Sequence, residues 1–309
     1  MSTSPTTVDA GRQSTLATVG LWTPHLDSLP IPEAQRIAKE VEDLGVEMMW
    51  VPGDAAREAL TAASAYLAAT DTLTVGSGVA SIYARDPLAM AAGRRALEEQ
   101  FGDRYHLGLG VSHSSFVARR GQIYQRPLAA MNDYLDRMAA AASTRHEVQG
   151  ATRTVLGALG PRMQDIAAEK ADGVLTYNAS VSHTRATRER LGGDALVVVT
   201  QVVCDVRSDD EGDRLAREYL AFYLQLPNYV NHFRRLGFTD RDFADGGSAA
   251  LVSELFVWGI DRVTQRVGDH LAAGADQVVL NVVAADRKTP PVRAWSDIAT
   301  VAARIEEAR

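Results

Sequence analysis

The sequence predicts an α/β fold closed as a (β/α)8 barrel, with a helical insertion between strands seven and eight. Three observations lead there. Short apolar runs alternate with amphipathic helical stretches to the end of the chain, and such alternation makes parallel βαβ units. Eight runs can be counted at even spacing, the number that closes a barrel. Two runs end in glycines, Leu73-Thr-Val-Gly-Ser-Gly-Val-Ala80 and Tyr105-His-Leu-Gly-Leu-Gly-Val-Ser112, and glycine at a buried strand end lets backbone approach something flat or charged. An open doubly wound sheet is the alternative; the strand count and even spacing favour the barrel.

The elements follow in order. Residues 1–15, rich in Ser, Thr and Gly, read as a disordered tail, since no basic start precedes an apolar run; residues 16–309 read as one domain. Strand one covers 16–22. The helix over 32–44 puts Ile37, Val41 and Leu44 on one face and closes at Gly45. Strand two is 47–52, and Asp54 is the expected cap of the helix over 58–70. Strand three is 73–80. Asp86 caps the next helix with Pro87 at its first position, where a missing N–H and a fixed φ do no harm. Strand four is 105–112, with a helix over 127–141. Strands five (152–159) and six (173–178) are each followed by a helix, over 162–171 and 182–191. Strand seven, 195–206, carries Val197-Val-Val and Val202-Val and reads as buried on both faces. Residues 209–258 exceed what one connecting helix needs and form the insertion, expected over the C-terminal rim. A helix over 262–273 ends at Gly274, strand eight is 277–283, and the last helix is 293–308.

The 309 residues carry 32 basic and 39 acidic side chains, a net charge of −7. Without a net positive charge or a long Lys/Arg run, neither nucleic acid nor an anionic membrane is the expected partner. No window is apolar enough for a membrane span. Cys204 is the single cysteine, which excludes an intrachain disulfide and a cysteine-rich metal site and suits a reducing, cytoplasmic setting.

Function in such a barrel gathers where the strands end. These ends offer glycines, backbone donors and two histidines, His25 and His113, but no paired acids at glycosidase spacing and no His/Asp/Glu cluster suited to a metal. That set suits an organic cofactor carrying its own reactivity. Gly157-Ala-Leu-Gly-Pro161 with Arg162 reads either as a phosphate seat at a helix N-terminus or as a tight βα turn. His25 and His113 are the candidate proton donors, each with a hydrogen-bonded structural role as its competitor. His106 reads as packing or outward facing, Arg85-Asp86 as a cap with an ion pair in preference to a substrate clamp, and Tyr219, Tyr223, Tyr229 and Trp258 as the core of the insertion in preference to a substrate wall.

At these residues the chain resembles the bacterial-luciferase-like superfamily, in its coenzyme F420-dependent branch. The resemblance rests on Val19-Gly-Leu-Trp-Thr23, Met49-Trp-Val-Pro52, Thr74-Val-Gly-Ser-Gly-Val79, Ala84-Arg-Asp-Pro87, Leu107-Gly-Leu-Gly-Val-Ser-His113, Gly157-Ala-Leu-Gly-Pro161, Asp172-Gly173 and Ala273-Gly-Ala-Asp-Gln277. It implies an oxidoreductase, usually a homodimer, that moves a hydride between the deazaflavin and a small organic substrate. It also implies a cis peptide bond at Gly78–Val79 backing the ring, with Ala80 beside it. Gly110, Val111 and Ser112 would line the ring, Gly157, Ala158, Gly160, Pro161 and Arg162 would hold the tail, and Thr176 and Tyr177 would lie nearby. Gly53 and Asp54 stand where sugar-phosphate-oxidising relatives carry an Asp-His pair, and His113 stands where they carry a glutamate, so that chemistry is not implied here. The alternatives are an FMN-dependent two-component monooxygenase on the same barrel and a non-catalytic ligand-binding paralogue.

Overall fold

The computed structural model describes residues 17–53, 57–141 and 152–309. The expected tail, the first residue of strand one and Asp54 lie outside them. In chain order the strands are β1 (Val19–Trp22), β2 (Met48–Gly53), β3 (Thr74–Ser81), β4 (Tyr105–Gly110), β5 (Thr154–Gly157), β6 (Gly173–Tyr177), β7 (Leu196–Cys204), β8 (Phe256–Val257) and β9 (Gln277–Val283). β1 to β7 pair in sequence, β7 pairs with β9, and β9 pairs back to β1, all in parallel. The result is a closed eight-stranded barrel, the (β/α)8 architecture the alternation predicts. β8 is the exception. Its two residues pair with Val202 and Val203, on the side of β7 where β6 stops at Thr200. So short a strand carries no periodicity that a sequence reading could detect.

The helices are α1 (Ile31–Asp43), α2 (Ala59–Ala68), α3 (Pro87–Phe101), α4 (Ser114–Arg119), α5 (Pro127–Ala140), α6 (Pro161–Lys170), α7 (Val181–Leu191), α8 (Asp209–Tyr223), α9 (Pro227–Arg235), α10 (Ala249–Leu255), α11 (Ile260–Ala272) and α12 (Val292–Glu307). α1 buries Ala34, Ile37, Ala38 and Val41, one stripe at helical spacing. Asp86 caps α3 by accepting from the Leu88 and Ala89 amides. The cap of α2 is Glu58, which accepts from the Leu60 and Thr61 amides and is also paired with Arg85. No helix among the described residues is long and apolar enough to cross a membrane.

Strand side chains alternate between two apolar clusters, as a pleat requires. Leu21, Met49, Val75, Leu109 and Val199 face the helices. Trp22, Trp50, Leu175, Tyr177 and Val279 face inward and continue into Leu220, Tyr229, Phe233 and Phe256 of the segment after β7. Trp50 fills the lower barrel. Its indole N–H donates to Gln277 Oε1 at 2.8 Å, and the His106 ring stacks on it at 6.4 Å. A Cβ on Gly76 would lie 2.4 Å from the Trp50 ring, so the glycine on β3 leaves room for the tryptophan on β2.

Candidate functional site

Near the rim β3 carries one residue more than β4: Gly76 pairs with His106 but Ala80 with Leu109. Such a bulge re-aims the strand. Within it Gly78–Val79 is a cis peptide bond, where the resemblance places one. Gly78 and Val79 are half-buried while Ala80 is buried. The Val79 side chain leans over β4 and β5. A Cβ on Gly110 would come within 2.4 Å of Val79 Cγ2, whereas one on Gly157 would keep an ordinary 3.5 Å from both methyls. Gly110, expected beside the ring, is buried and makes room for Val79. Val111 and Ser112, next along the chain, are half-buried instead. Ser112 (φ 56°) and Asn178 (φ 51°) both adopt left-handed backbone at strand ends, a conformation uncommon for residues other than glycine and frequent at functional sites.

The turn after β5 runs directly into α6. Gly160 is the N-cap and supplies no side chain to the first turn, where Pro161 has no N–H and the Met163 and Gln164 amides bond to the Gly160 carbonyl at 3.1 and 3.2 Å. Pro161 occupies the first helical position and Arg162 is exposed beside it. Ala158 is buried. Arg235, the last residue of α9, approaches from the other side: its Nη2 lies 3.5 Å from the Leu159 carbonyl and 3.9 Å from a Cβ built on Gly160. His183 Nε2 donates to the same carbonyl at 3.1 Å, and His232 packs edge-on against His183 at 4.5 Å. Arg162 in the first turn and Arg235 from α9 thus flank a helix start that has no side-chain cap. Arg235 was missed in the sequence, where the only signal was the pair Arg234-Arg235 on the polar end of a short helix.

The two candidate histidines separate. His25 is buried, shares a 3.0 Å hydrogen bond with Thr23 Oγ1 and packs against Trp295 of α12 at 6.1 Å. Burial lowers its pKa, partly offset by Asp286. These contacts match the structural role that competed with catalysis in the sequence. His113 is half-buried, at the start of α4, with its ring near Tyr229 (6.0 Å) and Phe116 (5.6 Å). His106 lies inside the barrel and accepts the Arg153 amide at 3.0 Å.

Opposite the β3–β5 ends the rim is built from phenols. Trp22 donates its indole N–H to the Gly78 carbonyl at 2.8 Å and meets the Tyr177 ring edge-on at 5.2 Å. The Tyr177 hydroxyl is bonded to that of Tyr219, and Tyr219 to Tyr223 at 3.1 Å. Asn281 of β9 donates from Nδ2 to both Tyr177 (2.6 Å) and Tyr219 (2.8 Å). Burial raises the pKa of all three phenols, so they stay protonated. Tyr219, Tyr223 and Tyr229 therefore reach the barrel mouth while packing with the apolar cluster of the insertion, as the insertion-core reading expects. Trp258 belongs to the insertion too: it covers Gly212 and donates to Asp209 at 2.6 Å. Thr176 is fully buried with its hydroxyl on the Val198 carbonyl. Ala62 and Tyr66 of α2 are buried within this single chain, and Ala69 just after them is half-buried.

A closed parallel barrel with a side-chain-poor rim on one side and a helical segment closing the other defines the class. The profile of the luciferase-like monooxygenase family matches residues 11–270, and the chain belongs to that family. It is similar to the 5,10-methylenetetrahydromethanopterin reductase of Archaeoglobus fulgidus, 23% identical over 295 residues, covering 80% of this chain and 88% of the relative. Among solved structures it is similar to the coenzyme F420-dependent tetrahydromethanopterin reductase of Methanopyrus kandleri, with a TM-score of 0.72 at 17% identity over 91% of this chain and 97% of that one. It is also similar to the oxygenating constituent of 3,6-diketocamphane monooxygenase from Pseudomonas putida in complex with FMN, with a TM-score of 0.65 at 16% identity over 94% and 98% of the two chains.

Proposed function

We propose that this protein is an oxidoreductase that binds coenzyme F420 across the barrel mouth and acts on a small organic substrate. One observation carries the reading: a half-buried Gly78–Val79 shelf stands beside a helix start that has no side-chain cap and is flanked by Arg162 and Arg235. That is a seat for a flat group with an anionic tail. The similarity to the coenzyme F420-dependent tetrahydromethanopterin reductase of Methanopyrus kandleri supports the coenzyme class.

In this reading Val79, Val111 and Ser112 form the floor under the ring, with Gly157 leaving space at its edge. The positive end of α6, the Arg162 amide and the side chains of Arg162 and Arg235 would hold the tail phosphate, the arginines through charge-assisted hydrogen bonds. Bound there, the deazaflavin supplies a carbon that gives or takes a hydride. The chain supplies orientation and excludes water through the aromatic rim. His113, half-buried at the mouth, is the side chain we assign to hold the exchanged proton; the packing of His25 makes it the weaker candidate. We extend the reading to a cytoplasmic homodimer on the family resemblance, since Ala62 and Tyr66 are already covered within one chain. A monomer in sedimentation at micromolar concentration would remove the dimer.

Titration with purified coenzyme F420, followed by calorimetry, tests the cofactor assignment. Binding at tens of micromolar or tighter is expected, weakened about tenfold by Arg235→Ala. Absence of F420 binding beside clear FMN binding would replace this reading with the flavin monooxygenase one.

A further inference from the structure

We propose that the Tyr177–Tyr219–Tyr223 cluster, braced by Asn281, is the binding site for an oxygen atom of the substrate, and that the substrate is an uncharged, flat, carbonyl-bearing molecule. The inference deepens the redox reading of the mouth and rests on it.

Counting hydrogens gives the first argument. Three phenols bring three hydroxyl protons, and the hydroxyls make two hydrogen bonds among themselves. Asn281 already donates to Tyr177 and Tyr219. A hydroxyl oxygen accepts at most two hydrogen bonds. Tyr219 therefore accepts one from Asn281 and one from a neighbouring phenol, and gives its own proton to the other. The protons run in one direction along the row, and one O–H is left over at an end, on Tyr177 or on Tyr223. Reversing the row moves that donor from one end to the other. An incoming oxygen can thus be met without breaking any bond in the cluster.

Charge gives the second argument. Burial keeps the phenols neutral, and their hydrogen-bond partners are one another and Asn281. A carboxylate placed against the hydroxyls would lose its water with no cation bonded there in return. Arg287, which is exposed, lies over the face of Tyr219, 5.8 Å from the ring centroid, and its charge only partly offsets the effect of burial on that phenol. A carbonyl oxygen has the right demand, one or two donors and no counter-charge.

Place and shape give the third. Tyr177 is one indole away from the Gly78 carbonyl, through Trp22. Its ring is followed by Tyr223 at 5.6 Å and Tyr229 at 4.8 Å beyond that, then by His113 at 6.0 Å. This band offers aromatic faces and edges, which favour a flat apolar body. Tyr219 and Tyr223 are half-buried, so the row reaches the opening.

The test uses the full chain and three probes of one shape: menadione, a neutral diketone; 2-methylnaphthalene, which lacks oxygen; and 1-naphthoate, which is charged. Calorimetry is expected to show menadione binding at least about tenfold tighter than either of the others. Either Phe variant still leaves one spare O–H but displaces it, so whichever of Tyr177→Phe and Tyr223→Phe removes the end that meets the oxygen should lower that preference at least about threefold while leaving 2-methylnaphthalene affinity unchanged, a separation that mere loss of packing would not produce. Should Tyr177→Phe fail to fold, the ranking of the three probes by the unaltered protein decides. Equal binding of menadione and 2-methylnaphthalene by the unaltered protein, tightest binding of 1-naphthoate, or an oxygen preference unchanged in both variants overturns the proposal. Coenzyme F420 binding without an oxygen preference would sink the substrate class only. An oxygen preference without F420 or FMN binding would sink the cofactor reading only.

Discussion

The two halves of the barrel mouth are built on opposite plans. At the ends of β3, β4 and β5 there is almost no side chain. Backbone forms the surface, and glycines admit either Val79 or a neighbouring carbonyl. At β6, β9 and the segment after β7, the surface is a row of phenols tied to Asn281. Backbone-built surfaces fail by collision, because nothing can rotate away. Side-chain-built surfaces fail by losing a partner or gaining a charge. The contrast predicts different ways of breaking each half.

The largest expected effect is acid on the side-chain-rich half. Burial, more than the nearby Arg266 and His183, holds His270 down to about 3. Burial, then His183 and Arg235, does the same to His232. Inside the barrel, burial with Arg153 brings His106 to about 4. These residues stay neutral in the fold while the unfolded chain takes protons near 6.5. Their contribution is present above pH 6.5 and lost as pH falls, by about 2 kcal/mol for each of them between pH 7 and 5. Urea midpoints measured at pH 7.5, 6 and 5 should fall steadily, and a flat series would mean these rings are not held neutral.

On the backbone-built half, Gly108→Ala should cost about 3 kcal/mol or more, because its Cβ would sit 2.0 Å from the Ser77 carbonyl oxygen. A drop in thermal midpoint checks it, and an unchanged midpoint would show that β3 yields. Glu58→Ala comes next, at about 2 kcal/mol, since one carboxylate caps α2 and pairs with Arg85 through two contacts of 2.8 and 2.9 Å. Burial alone would raise the Glu58 pKa, but bonds from Arg85, Thr61 and Leu60 bring it down to about 2. That stability is lost as pH falls from about 4.5 to 2, well below the histidine range, so the two acid transitions are separable by titration. Smallest is Gly157→Ala, where 3.5 Å of clearance predicts a stability change under about 1 kcal/mol. Its effect should show in F420 affinity instead, and an unaltered affinity would take Gly157 out of the site.

The backbone-built half was the more legible in sequence. Strand, glycine pair, Asp86 cap and Pro87 start are local signals, and local signals survive without a structure. Yet the glycines were legible as gaps and not as to what fills them. That Gly110 admits Val79 and Gly76 admits Trp50 depends on register between strands, which no single run encodes. The phenol row was illegible for the same reason. Tyr177 and Tyr219 stand 42 positions apart and Asn281 another 62 beyond Tyr219, so their meeting is a product of barrel closure and of how α8 settles on it. His25 shows the converse: a residue conspicuous by type that the fold uses for packing.

The two-residue strand Phe256–Val257 has a consequence for how this protein can be altered. It ties the end of the inserted segment to the same strand from which that segment departs, so entry and exit are stitched side by side. Everything looped out between them, from Asp209 to Leu255, is a cassette with a fixed clasp. Exchange of that cassette for one of another length, with the clasp retained, ought to yield a folded barrel with a new ceiling over an unchanged floor.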